Sequence, residues 1–584
     1  MPAVVAIEVI TLAALAAFPP RHMGWWPAAV AAVVAAITLV VRVHGRSAVG
    51  WLAAWWRWRS VRRGTRVGAA AGIDVPHGDS LCGVRVEAHE AITMINVTGL
   101  PYTPTLLHGA AVVQNPNVVP LGLLSGLLEQ PGELRLGSID VVSAGLRVHR
   151  GSGYPPLYGT LLADRPAAGQ RSTRLIVRVE LTTSVPGLTY RTSIGAAAAA
   201  ATDRIVNALA EQGIRAEALS AHQLDAALTE LGAGLAEAPV RAEDAASGRG
   251  PALAGVSSGV GVSPGGRASS RHRASSRGAG SSQALALSGG AGSSRRRRGG
   301  GRVDVGWRSV TTHPGHWTTY YFSPEDITTG ALNQMWALRT DEIVQTTTIG
   351  KDRRAGEGGG PVLVSATVRC NDPQPPQQPP TLYLNTLPGD QYAATLHCAP
   401  TARPPLRLPT RVLNEPAALA IPIGPTGILV GTVISDDAAL GALSDDLVML
   451  ALTDPQRATR VVMDTSSFYV RQLLIRAAAV GERIAIYSDA PQRWASLAQP
   501  YIALVDRSRP PEFVPSILVS DRPGTPPAAG LAATVITVGR GETGGAAADL
   551  EFVQTSESAV RITGPTFAID VAIAAFRQEQ AWTG

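Results

Sequence analysis

Several short patterns in the 584-residue sequence carry residue types that can do chemistry. Gly539-Arg540-Gly541-Glu542-Thr543-Gly544 spells the glycine fingerprint of a dinucleotide site, after the apolar stretch Thr534–Val538. Such a site needs a helix to start there, so that its N-terminus meets the pyrophosphate. The chain instead runs on to Asp549-Leu550-Glu551-Phe552-Val553, which alternates as a strand does, so a hairpin loop is the better reading. Gly255-Val256-Ser257-Ser258-Gly259 matches a nucleophile elbow in letters only, because it lies in low-complexity sequence and an elbow needs a rigid strand, turn and helix. Gly350-Lys351 lacks the upstream glycine and the following Ser or Thr of a phosphate loop.

His313 and His316 stand close enough to share a metal, but no carboxylate, Cys or third His lies at ligand spacing. They read as a turn. Asp436-Asp437 and Asp445-Asp446 are acids of the kind that hold a cation in sugar-nucleotide enzymes, yet neither pair is Asp-x-Asp, and both read as turns. His397-Cys398 has neither an acid nor an oxyanion hole in its sequence context. Cys82, Cys370 and Cys398 are too few for a disulfide framework and read as reduced structural thiols. No catalytic constellation emerges, and no cofactor or metal is expected.

The elements around these patterns imply a mixed α/β fold. Two α/β subdomains are expected, at 67–245 and 303–584, anchored by an N-terminal two-helix transmembrane hairpin. In the first, 83–87, 91–97, 139–143 and 175–180 alternate as strands. A helix runs from about Ile194 to Glu211 and ends at Gly213; a second starts at the capping box Ser220-x-x-Gln223. In the second, Ser323-Pro324-Glu325-Asp326 signals a helix start, with the helix running to about Leu338. Strands are expected near 343–349, 361–370 and 428–435. Residues 460–490 spell a βαβ unit, and 531–563 reads as hairpin material. Between the two subdomains, 246–302 is Gly, Ser, Ala and Arg, a disordered linker that cannot bury enough to offset its chain entropy.

The anchor is read from 1–45. Residues 3–18 and 23–43 are apolar runs near the length that crosses hydrocarbon, and Glu8 is the one acid inside them. Pro19-Pro20 breaks the helix between them, and Trp25-Trp26 suits the headgroup layer. A juxtamembrane helix follows at 46–66. Trp51, Trp55 and Trp58 share one face of it, and Arg57, Arg59, Arg62 and Arg63 stand beside and after them. This reads as a membrane-interface segment that meets anionic lipid headgroups; a groove on a partner is the competing reading. The short loop between the spans has one Arg, whereas the flank after them has seven, which places the N-terminus and the soluble part in the cytoplasm.

Charge distribution excludes one class of partner. Arg42–Arg66 and Ser247–Arg302 hold seven and ten arginines with no acid. The rest of the chain carries 34 basic against 45 acidic residues. A nucleic-acid-binding domain carries its positive charge on its fold, so no nucleic acid is expected as partner.

Certain stretches, in order, resemble a known family. They are the two apolar runs with the Trp/Arg segment, Ala91–Val97 (AITMINV), Ile139–Tyr158 (IDVVSAGLRVHRGSGYPPLY), Arg171–Glu180 (RSTRLIVRVE), Ser323–Trp336 (SPEDITTGALNQMW) and the Phe468–Trp494 block ending in YSDAPQRW. Together they resemble the EccE family, a membrane component of the type VII (ESX) secretion machinery of mycobacteria and related actinobacteria. The resemblance implies a non-enzymatic subunit at the periphery of a complex in the inner (plasma) membrane. Its implied partners are EccB, the EccC ATPase, EccD and the mycosin protease. It carries over no catalytic residues, and the 246–302 insertion departs from it. The alternative is a membrane-anchored nucleotide- or nucleotide-sugar-binding enzyme that uses the 460–490 unit and Asp436-Asp437.

Overall fold

The computed structural model describes residues 42–43, 46–61, 67–78, 80–109, 112–237, 303–312, 315–352, 360–437, 440–505, 511–522, 533–539 and 547–584. The two expected spans lie outside these residues, save Arg42–Val43, which pairs antiparallel with Arg46–Ser47. The linker also lies outside them. Among the described residues, no helix is long and apolar enough to cross a membrane.

The larger sheet is antiparallel through its centre. Its neighbours run His316–Phe322, Val362–Asp372, Glu342–Lys351, Leu134–Leu146, Gln170–Glu180, Glu90–Val97, Ser80–Glu87 and Ile73–His77. Strand alternation sorts its side chains. Ala91, Ile95, Val141, Leu175, Val177, Ile343 and Val368 enter one core, whereas Ile92, Met94, Val142, Ile176 and Val344 enter the core on the opposite face. The first face carries helix Ile194–Glu211, capped by Ser193, and the chain turns at Gly213 with φ +75°. The other carries helix Ala221–Leu231, whose Ser220/Gln223 capping box is fully formed.

The division expected at the linker is not the division of the sheets. Leu134–Leu146, from before the linker, pairs along its length with Glu342–Lys351, from after it, with Val142 opposite Thr346. The stretches on either side of 246–302 therefore share one core. The second sheet likewise takes a hairpin, Thr105–His108 with Val112–Gln114, from the first half, docked through Leu106 opposite Val448.

The second sheet changes character along its width. Ile502–Val505, Ile484–Tyr487, Ile517–Ser520, Thr534–Val538, Thr459–Asp464 and Leu550–Gln554 are adjacent and parallel. The expected βαβ unit is present as Thr459–Asp464, helix Ser467–Ala479 and Ile484–Tyr487. Its two strands are parallel but not neighbours, because Ile517–Ser520 and Thr534–Val538 lie between them.

Two expectations need correction. The 539–544 glycines do not close a hairpin: Thr534–Val538 and Leu550–Gln554 flank Thr459–Asp464 on its two sides and run parallel to it. The connection is thus a crossover. The apolar, β-branched run Thr534–Val538 suits a strand covered on both faces better than a hairpin arm. The true hairpin is Leu550–Gln554 with Ala559–Thr563. The helix expected from Ser323 to Leu338 is broken into a 3-10 turn Pro324–Asp326, a helix Thr329–Gln334 and a 3-10 turn Met335–Ala337. Ile327 leaves the helix with ψ 77° to reach full burial, and Thr328 caps the restart by accepting from the Ala331 N–H.

Candidate functional site

The residues singled out as a membrane-interface segment fall on helix Ala48–Val61, here the tryptophan helix. Ala, Trp and Arg dominate it, and no proline interrupts it. Trp51, Ala54 and Trp58, at i, i+3 and i+7, share one face. That face docks on the protein itself. Trp307 lies between the two indoles, stacked on Trp51 at 6.0 Å and edge-on to Trp58 at 5.4 Å. Both geometries suit ring quadrupoles. The Trp58 Nε1–H donates to the Val305 carbonyl at 3.0 Å, which satisfies the one polar group that ring must bury.

Gly389 makes the close approach possible. Its φ is +80°, and a Cβ there would stand 2.7 Å from the Trp307 ring and 3.2 Å from the Ala54 Cβ. The next residue supplies charge: Arg57 donates through Nε and Nη2 to Oδ1 of the buried Asp390, at 3.1 and 2.9 Å. Trp58 and Val61 close the rim of the core that contains Leu228, Leu231 and Trp317.

The three tryptophans expected on one lipid face are thus separated. Trp51 and Trp58 are turned to Trp307, whereas Trp55 is 40% exposed and Trp56, on a different face, is 70% exposed. Leu52 is 64% exposed beside them, and Arg59 lies over the Trp55 ring at 5.6 Å. Trp25, Trp26, Arg62 and Arg63 lie outside the described residues. Sequence periodicity could not reveal Trp307, because the contact spans the linker.

Beneath the same sheet face lies a set of buried charges. Arg178 donates to Asp140 at 3.0 Å and to the carbonyls of Thr401 and Ala399. Arg85 pairs with Asp225 at 2.6 Å and reaches the Pro400 carbonyl. Arg369 binds the carbonyls of Leu231 and Thr395 and stacks on Trp317 at 4.5 Å. Three arginines from three strands therefore clamp segment 395–401, which follows Asp390, onto the sheet. Burial alone would raise the Asp140 carboxyl, but Arg403 and Arg178 hold it down to about 2. Burial drives the adjacent His397 down to about 3. His397-Cys398 is a packed part of this clamp.

The other candidates resolve as structure. Asp436 and Asp437 accept the backbone N–H groups of Ser444 and Leu440 within one turn, and Asp446 accepts from Leu443 and meets His108 at 2.7 Å. Lys351 pairs with Glu129. His316 lies in a strand beside Thr311, and its expected companion His313 is outside the described residues, as is 255–259. At the carboxyl edge of the parallel strands, Asp521 already accepts from Ser488 and from the Trp494 indole, at 2.7 and 2.8 Å. Among the described residues, no group of three or more His, Cys, Asp or Glu is placed to hold a metal ion. Cys82, Cys370 and Cys398 are free and buried.

Comparisons with known proteins point one way. Residues 167–258 match a family model described as "Putative type VII ESX secretion system translocon, EccE". The chain is 28% identical over 487 residues to the ESX-2 secretion system protein EccE2 of Mycobacterium tuberculosis (strain CDC 1551 / Oshkosh), covering 82% of this chain and 74% of that one. It is 25% identical over 446 residues to the ESX-5 secretion system protein EccE5 of Mycobacterium tuberculosis (strain ATCC 25618 / H37Rv), covering 72% and 93%. To the ESX-1 secretion system protein EccE1 of Mycolicibacterium smegmatis it is 31% identical over 151 residues, which is 25% of this chain and 32% of that one.

Proposed function

We propose, from the premise that this chain belongs to the EccE family of type VII secretion components, that it is a structural subunit of an ESX membrane complex. The similarity to ESX proteins over most of the chain carries this reading. The docked tryptophan helix gives it a mechanism. It joins the soluble body to whatever precedes residue 42, through ring packing and the Arg57–Asp390 pair. A load on the N-terminal segment then passes to the larger sheet.

In the finer reading, residues 3–18 and 23–43 cross the inner membrane twice and leave the body in the cytoplasm. Trp25 and Trp26 sit at one interface. The outward face of the tryptophan helix, with Leu52, Trp55, Trp56 and Arg59, rests on anionic lipid, and Arg62 and Arg63 extend that contact. Trp51, Trp58 and Arg57 serve the docking. Neighbours are the other core subunits, EccB, the EccC ATPase and EccD, with the mycosin protease. The protein is read as non-enzymatic, since Asp436 and Asp437, the acids expected to bind a nucleotide-linked substrate, accept backbone N–H groups within their own turn.

Purification from native membranes through an affinity tag on the C-terminus tests this. Mass spectrometry of the eluate should identify an FtsK-like ATPase and the other ESX core proteins. Recovery of the chain alone, from cells that express the whole system, overturns the proposal.

A further inference from the structure

Beside the first turn of the tryptophan helix is a cleft of about 650 Å³. Trp51 and Trp307 supply its aromatic wall, Arg308 a cation, and Gln377, Gln378 and Asn385 side-chain amides. No Asp or Glu is among the described residues that line it. One guanidinium without an opposing acid favours an anion. Amides pair with hydroxyls in both directions, as donors and acceptors. Indole faces pack against the C–H surface of a polyol or an acyl ester. These are the requirements of a phosphate that carries a hydroxylated head.

The position of the cleft supplies the second half of the argument. Trp51, in its wall, is followed at once by Leu52, which is 64% exposed, and the exposed Trp55 and Trp56 continue outward from there. The apolar sequence read as the second span ends at Val43, and the helix begins at Ala48. Five residue steps reach at most about 18 Å. A bilayer that holds the apolar run is therefore within reach of the mouth of the cleft, at the depth of the headgroups. The exposed apolar side chains run on from the cleft along the same helix.

We propose that this cleft takes the headgroup of an anionic phospholipid with a polyol head, such as a glycerol or inositol phospholipid. The phosphate meets Arg308 and the polyol meets the amides of Gln377, Gln378 and Asn385. The proposal rests on the reading above that the outward helix face lies on lipid, and it adds a selective site to that general contact.

Native mass spectrometry of the full-length chain, purified in mild detergent and offered equal amounts of phosphatidylglycerol, phosphatidylinositol and phosphatidylcholine, reads the selectivity. One of the anionic lipids should be retained over phosphatidylcholine. Arg308→Gln should reduce that preference about fivefold, the factor one cation's contact with an anionic surface carries. Gln378→Ala should weaken it, and Trp56→Ser should leave it unchanged while lowering flotation with vesicles of any composition. Arg308, Gln378 and Trp56 are exposed, so these variants should fold, and circular dichroism is the check. Equal retention of all three lipids, or a preference untouched by Arg308→Gln, overturns the cleft assignment; flotation lost in Trp56→Ser would then still stand for the general lipid contact. Full competition by sn-glycerol 3-phosphate at equal concentration overturns the lipid assignment in favour of a soluble phosphate ester.

Discussion

Arg57 grips Asp390 through two nitrogens on a single carboxylate oxygen, across 333 residues of sequence. The guanidinium is half in water and the carboxylate is buried, so the pair is a hinge pin more than a source of stability. Asp390→Ala should cost about 1 kcal/mol, since half-exposed pairs are weak. Its clearer effect is local. The 48–61 helix should detach more often, and limited proteolysis between 47 and 67 should speed up with little change in the global melting temperature.

Gly389→Ala should act more strongly. The residue is held at φ +80°, and the new methyl would meet the Trp307 ring and the Ala54 side chain. Left-handed strain and overpacking together cost about 3 kcal/mol. Thermal unfolding measures the loss, and hydrogen exchange should show it concentrated in the tryptophan helix.

Far from that helix, Arg476 and Glu579 form a fully buried pair, with contacts of 2.8 and 2.9 Å. Gln472 donates to the same carboxylate, Tyr154 bonds to it, and Arg476 also holds the carbonyls of Leu429 and Ala574. Glu579→Ala should cost about 3–5 kcal/mol, because a guanidinium is left buried without its partner. The double variant Arg476→Met/Glu579→Leu should recover part of that loss, as chemical denaturation of the three proteins will show.

Two buried groups bend the pH dependence in opposite directions. Burial drives His397 from 6.5 to about 3, so the folded state binds fewer protons there than the unfolded one, and stability falls as pH drops from 6.5 toward 3. Burial raises Glu342 from 4.5 to about 7 against the pull of Arg369. The folded state keeps that proton longer, so its contribution to stability falls as pH rises from 4.5 to 7. Glu342→Gln should remove the second effect alone. The stability gap between variant and parent should widen from pH 4.5 to 7 and stay level above it, in denaturation midpoints taken across that range.

Local elements were legible where local rules decide them. The Ser220 capping box, helix Ile194–Glu211 and the strands near 91–97, 175–180 and 343–349 follow from caps and period-two alternation. What crosses the linker was not. Nothing local in Val142 announces Thr346 as its strand partner, and nothing in Trp58 announces Trp307. Arg85, Arg178 and Arg369 stand at alternate positions that read as the wet side of a strand, yet each is buried because carbonyls of 395–401 and helix 221–231 receive its donors. The glycines at 539 onward misled because a crossover and a hairpin want the same flexible residues at the strand end. Only the pairing of Thr534–Val538 with Thr459–Asp464 tells them apart.

Native gel electrophoresis of gently solubilised membranes, from cells that carry a tagged chromosomal copy of this chain, addresses the secretion role most directly. The tagged protein should migrate in one high-mass band together with the ESX ATPase, and that band should vanish when the ATPase gene is deleted. A tagged chain that runs at the mass of a monomer in both strains would contradict its place in the machine.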